Sequence, residues 1–140
     1  MTLEELYDYR KLRLQRARAW EALEVLRQSA YPETGSMTGM PGGSGSRKDS
    51  VGDLAIELVR MRAQIEDMDR EIEQADLRFS AFVDTIADFS TRIIVRLRFY
   101  SCCSWAQIAE VLGGKIKANS VRMSCVRYLT SNENLCAPVR

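Results

Sequence analysis

At 140 residues the chain has the length of one domain, and its 46% hydrophobic and 28% charged residues exclude a wholly disordered polypeptide. No apolar run approaches the roughly 20 residues that a membrane-crossing helix requires, and no signal-like N-terminus is present, so a soluble cytoplasmic protein is expected. The net charge of +1 hides a division: residues 51–89 hold ten acids and four bases, whereas residues 90–129 hold seven bases and the single acid Glu110.

Residues 1–30 lack Gly and Pro and are rich in Leu, Ala, Glu and Arg, the residues that lose least on entering a helix. Leu6, Tyr9, Leu12, Ala19, Leu23, Leu26 and Ala30 fall near one stripe, interrupted by Arg16. Thr2 followed by Glu5 has the spacing of a capping box. Residues 31–50 hold five of the eight glycines and two of the three prolines, which predicts a flexible Gly/Ser linker. A phosphate-cradling loop is disfavoured there, because no Lys-Ser or Lys-Thr pair follows the glycines and no strand precedes them.

From Val51 to Phe89 the apolar residues recur alternately every three and four positions, through Leu58, Ile65, Ile72, Phe79 and Ile86. This is a heptad pattern sustained over the whole of 51–89, with Asp49 or Ser50 available to cap its start. Such a seam must be buried against another helix. The first helix folding back, or a second copy of the chain, can supply it. At about 1.5 Å per residue, helices of roughly 43 and 60 Å would let the first cover most of the second. Phe79, Phe82 and Phe89 are then expected against the C-terminal helices or a second subunit.

Residues 90–130 read as a helical unit. Ser90 is a candidate cap for a helix with Ile93, Ile94 and Leu97 on one face and Arg92, Arg96 and Arg98 on the other. Cys102 and Cys103 mark a break. Ser104 then caps WAQIAEVLG, with Gln107 at the capping-box position, and Gly113-Gly114 stops that helix. Trp105, Ile108, Ala109 and Leu112 form its buried set. A further helix, capped by Asn119 or Ser120, turns Val121, Cys125, Tyr128 and Leu129 inward. Residues 131–140 are expected to be a disordered tail.

Two short helices joined by a glycine turn, the second one basic, have the form of a helix-turn-helix. Its second helix is expected to enter the major groove of double-stranded DNA while flanking cations neutralise phosphates. Arg122 and Arg127 suit base or phosphate contacts, and Lys115, Lys117 and the three arginines of the preceding helix suit the DNA backbone. The plainer alternative is a helical hairpin with solvated arginines, but the concentration of positive charge favours an anionic partner.

The runs YSCCSWAQIAEVLGG and SVRMSCVRYL resemble the fourth conserved region of bacterial sigma factors. With the segment SMTGMPGGSGSRKDSVGDLAIELV and the long heptad helix, the layout is similar to phage-encoded transcriptional regulators of the ArpU type and their uncharacterised relatives. The resemblance implies a prophage regulator acting on DNA in the bacterial host cell, with RNA polymerase as a further partner. It places DNA contacts at Asn119, Ser120, Arg122, Met123 and Arg127. The turn GGKIKAN is longer than in typical sigma factors.

The four cysteines form no CxxC pair and the chain has no histidine, so no metal site, cofactor or catalytic constellation is expected. Cys125 reads as a small core residue and Cys136 as part of the tail. The expectation is an all-α protein, a long antiparallel coiled-coil hairpin followed by a C-terminal helix-turn-helix. It is not an enzyme but a sequence-specific DNA-binding homodimer or higher oligomer. The competing readings are a small DNA-recognition subunit of a phage packaging terminase and a coiled-coil protein-interaction module.

Overall fold

A computed structural model describes residues 1–30 and 46–136. The described chain is helical, with no strand among the described residues: α1 (Leu3–Ala30), α2 (Ser46–Asp84), α3 (Phe89–Val95), α4 (Trp105–Val111) and α5 (Ala118–Cys136). A single π turn, Arg96–Tyr100, continues α3. The fold class is all-α, as the periodicity predicts. No described helix is long and apolar enough to cross a membrane.

Two compact units make up the chain, residues 1–14 with 71–140, and residues 15–70, and both long helices contribute to each. In the 15–70 unit, Arg16 of α1 reaches Asp69 of α2 at 2.8 Å, so the residue that interrupts the apolar stripe is held by an ion pair. Leu23 and Ile65 are buried there, while Leu54, Leu58, Met61 and Met68 are half-buried. The seam of α2 is therefore packing surface, as its spacing implies. The expected linker lies outside the described residues over 31–45. Residues 46–50 belong to α2, which places Asp49 and Ser50 inside the helix rather than at its cap. No Gly or Pro stands between Ser46 and Val51 to stop the helix extending backwards.

In the other unit, α1 opens with the predicted capping box: Thr2 N–H donates to the Glu5 carboxylate at 2.7 Å and Glu5 N–H to Thr2 Oγ1 at 3.2 Å. Its partners on α2 run in the opposite direction. Arg78 bonds Glu5 at 2.8 Å, Tyr9 stacks on Phe79 with ring centroids 5.0 Å apart, and Arg13 meets Asp76 at 3.1 Å. The Tyr9 hydroxyl also donates to Asp76, and burial followed by that hydrogen bond pushes the phenol's pKa well up.

The heptad helix does not reach Phe89. α2 ends at Asp84, and Asp88 rather than Ser90 caps α3, accepting from Thr91 N–H at 2.9 Å and Thr91 Oγ1 at 2.6 Å. Once the chain leaves the helix over 85–88 the three-four count is void. Val83 and Ile86 take the buried places, Phe79 joins them, Phe82 packs partly against this core, and Phe89 is 71% exposed. The core continues through Ile94, Val95 and Phe99 into α4 and α5. The predicted disordered tail is also corrected: α5 runs to Cys136, and only 137–140 lie outside the described residues. Glu133 accepts from Leu3 N–H, tying the end of α5 to the start of α1, and the first helix breaker after that point is Pro138.

Candidate nucleic-acid interface

The local sequence dictates the turn between α4 and α5. Ser104 and Gln107 form a reciprocal capping box at the start of α4, at 2.8 and 3.2 Å. At its end Gly114 N–H donates to Ala109 O and Gly113 N–H to Glu110 O, both at 3.0 Å, the pair of bonds that defines a Schellman stop. Both glycines have positive φ, 107° and 74°, so side chains are excluded there by conformation. With the helix ended this way, α4 packs on α5 through Ile108, the small Ala109, Val121 and Cys125. Trp105 and Leu112 are partly buried against that core rather than fully enclosed. Tyr128 likewise lies at its edge, while Leu129 is buried.

With Val121, Cys125 and Leu129 inward, the opposite face of α5 is open. Asn119, Met123 and Arg127, spaced by four, share one outward stripe, with Ser120 and Ser124 on one flank and Arg122 on the other. All of these, and Lys115 and Lys117 in the turn, are exposed. Residues 112–127 contain four cations and no acid. Arg13, Arg16, Arg70 and Arg78 elsewhere each meet a carboxylate, whereas Lys115, Lys117, Arg122 and Arg127 have no ion-pair partner among the described residues.

Asn119 is not the helix cap, and nor is Ser120. α5 begins at Ala118, and the Lys117 carbonyl accepts the first helical bond, from Val121 N–H at 3.1 Å. Asn119 instead turns its Oδ1 to the Arg122 guanidinium, accepting from Nε at 3.3 Å and from Nη2 at 3.0 Å. Nη2 also reaches Met123 Sδ at 4.0 Å; turned outward, a guanidinium has the two-pronged edge that matches guanine O6 and N7. Ile116 in the turn is 48% exposed, a second exposed apolar side chain besides Met123, and the heptad and cap patterns gave no reason to single it out.

The arginines of α3 and its π turn are not the uniform basic face that their spacing implies. Arg92 donates to Ile86 O at 2.6 Å and Arg98 to Cys103 O at 3.0 Å, so both are spent on ending helices inside the fold. The Arg98 guanidinium lies 4.5 Å from the Trp105 ring centroid, and burial lowers its pKa. Its Nε is buried with no hydrogen-bond partner. Arg96 alone of the three stays exposed. The side of α3 that packs was only partly foreseen: Ile94 is buried, but Val95, at the end of α3, and Phe99, within the π turn, are buried more deeply.

Two arginines from α1 hold this unit together. Arg10 donates to Arg98 O and Cys102 O at 3.2 and 3.4 Å, and Arg13 Nε to Tyr100 O at 2.8 Å, with its guanidinium 4.1 Å from the Tyr100 ring centroid. They satisfy carbonyls that the end of a helix leaves without partners. Cys102, Cys103 and Cys125 are free thiols, and burial pushes the Cys125 thiol up to about 11. Among the described residues no three His, Cys, Asp or Glu side chains converge as a metal-binding set. Comparison of the chain with family models, with curated proteins and with solved structures finds no match.

Proposed function

We propose that this protein is a sequence-specific DNA-binding regulator of the phage type, acting in the cytoplasm of a bacterial cell as a dimer and working by position rather than by chemistry. The observation that carries the reading is the exposed cationic surface of Lys115, Lys117, Arg122 and Arg127, built on a glycine-stopped helix pair and left without carboxylate partners among the described residues. A solvated helical hairpin has no need to exclude every acid from 16 consecutive residues around its turn, whereas a phosphate-facing surface does. The outward stripe of α5 also has the mixed chemistry of base readout. Arg122 supplies a fork, Asn119 and the serines supply small polar groups, and Met123 supplies an apolar contact for a thymine methyl. The resemblance of the segment 100–129 to sigma-factor helix-turn-helix units supports the same assignment.

Selection of duplexes from a random pool by the purified protein tests the proposal. A preferred sequence is expected, with affinity that falls steeply as salt rises. Arg122→Ala should relax preference at one position, at a cost of about 1–3 kcal/mol, while Lys115→Ala should weaken all sequences alike and lower the salt slope by about one. If no duplex is retained even at low salt, the proposal fails. If binding survives and Arg122→Ala leaves the preference intact, α5 is not the reading helix.

A further inference from the structure

The Cα of Arg122 stands on one flank of the outward stripe of α5, but its guanidinium lies elsewhere. Nε and Nη2 both donate to Asn119 Oδ1, and Nη2 also reaches Met123 Sδ. Asn119 and Met123 are stripe residues, so the charge is drawn onto the stripe and back beside the first turn of α5. That turn is the part of a recognition helix that meets base edges. A guanidinium has donors only, so the Asn119 amide must turn its oxygen toward it, and two arginine N–H groups share that one oxygen. An asparagine that reads adenine needs the same oxygen for the N6 amino group while its own NH2 donates to N7. Arg127, further along the stripe, has no side-chain hydrogen bond or ion pair among the described residues.

Resting on the DNA-binding reading above, we infer that Asn119 is a positioning residue: it sets the Arg122 guanidinium for one base pair and does not read a base itself. This withdraws Asn119 from the small polar groups of the stripe that face the bases and gives its whole effect to Arg122. An arginine that enters a groove from open solvent gives up the freedom of its long side chain, whereas one already held loses less on binding. Asn119 carries no charge, so its loss leaves the attraction to phosphates unchanged. The hydrogen bonds join two exposed residues within one helix, so their removal changes recognition and not the packing of the fold.

Two measurements on the full chain test this, the first without DNA. Nuclear relaxation of the arginine side-chain Nε should show Arg122 more ordered than Arg127, and Asn119→Ala should remove the difference. In duplex selection, Asn119→Ala should relax the same base-pair position as Arg122→Ala. On the preferred duplex it should weaken binding about three- to tenfold. On a duplex altered at that position it should have no effect, and in an Arg122→Ala chain it should cost nothing further. Relaxation at a different position, with loss of preference for an adenine, would show Asn119 reading a base and overturn the proposal. An equal loss on both duplexes overturns it too, as does an Arg122 Nε as mobile as that of Arg127 in the free protein. Each of these failures leaves the functional reading standing. Failure of every chain to retain any duplex, even at low salt, overturns that reading and this proposal with it.

Discussion

Cys102 has φ of 58°, a left-handed backbone that a residue with a Cβ adopts at a cost. Its thiol returns little for this, since its contacts with the carbonyls of Arg10, Phe99 and Tyr100 are 3.8 to 3.9 Å long. Relief of that strain, about 1–2 kcal/mol, outweighs the roughly 0.5–1 kcal/mol entropy cost of a glycine, so Cys102→Gly is expected to raise stability slightly, read as a higher midpoint in thermal unfolding. The buried Cys125 should behave differently. With its thiol held at about 11 by burial, it should be alkylated after Cys102 and Cys103 when native protein is pulsed with iodoacetamide and mapped by peptide mass. Asp88 and Glu5 contribute to the acid limb of stability. The Thr91 hydroxyl and amide lower the Asp88 pKa, and the Thr2 amide and Arg78 lower that of Glu5. Groups held below their unfolded values stabilise the fold above those values, 3.8 and 4.5, and the contribution is lost as pH falls through the lower folded values. Thermal midpoints measured from pH 6 to pH 2 should thus fall less in the Asp88→Asn, Glu5→Gln double variant than in the wild type.

Helix ends were legible in the sequence wherever a short-range code specifies them. Thr2 with Glu5, Ser104 with Gln107, and Gly113-Gly114 each act within five residues, and each is seen in the expected role. Because a Cβ at Gly113 would meet nothing within 4 Å, Gly113→Ala is penalised by backbone conformation alone. A loss of about 1–2 kcal/mol is expected in denaturant unfolding. The ends that were misread have several causes. Nothing in residues 85–88 is a Gly or Pro, and the break there becomes favourable through the Asp88 cap and the burial of Val83 and Ile86. Asn119 has the right chemistry for a cap but stands one residue inside a helix whose first turn starts at Ala118. The end of α5 depends on Glu133 finding Leu3, a contact 130 residues apart that no local pattern contains.

The cationic surface around α5 was readable because exposure follows directly from the inward spacing of Val121, Cys125 and Leu129. The withdrawal of Arg92 and Arg98 was not, since the carbonyls they satisfy exist only once the surrounding helices have ended. The same holds for Arg10 and Arg13, which sit far from α4 and α5 in sequence yet bond the backbone that leads into them. Leu6 and Tyr9 from the same stretch are buried in one core with Phe99, Ile108 and Val121. The C-terminal helices are therefore not an independent domain. Removal of residues 1–14 should abolish cooperative unfolding of the remainder and expose its core to a hydrophobic dye, rather than leave a smaller folded protein. A truncated chain that keeps a sharp transition would contradict this.

The π turn over Arg96–Tyr100 carries a consequence for chain length. It inserts one residue into a helix that would otherwise keep strict α phase. Deleting a residue there would restore that phase and rotate everything beyond it by about 100°. Phe99 would leave the core, and the carbonyls that Arg10 and Arg13 bond would point away. Among changes in this stretch, loss of a single residue should thus be harsher than any substitution, and chains of this fold should tolerate variation in the identity of these five positions more readily than in their number.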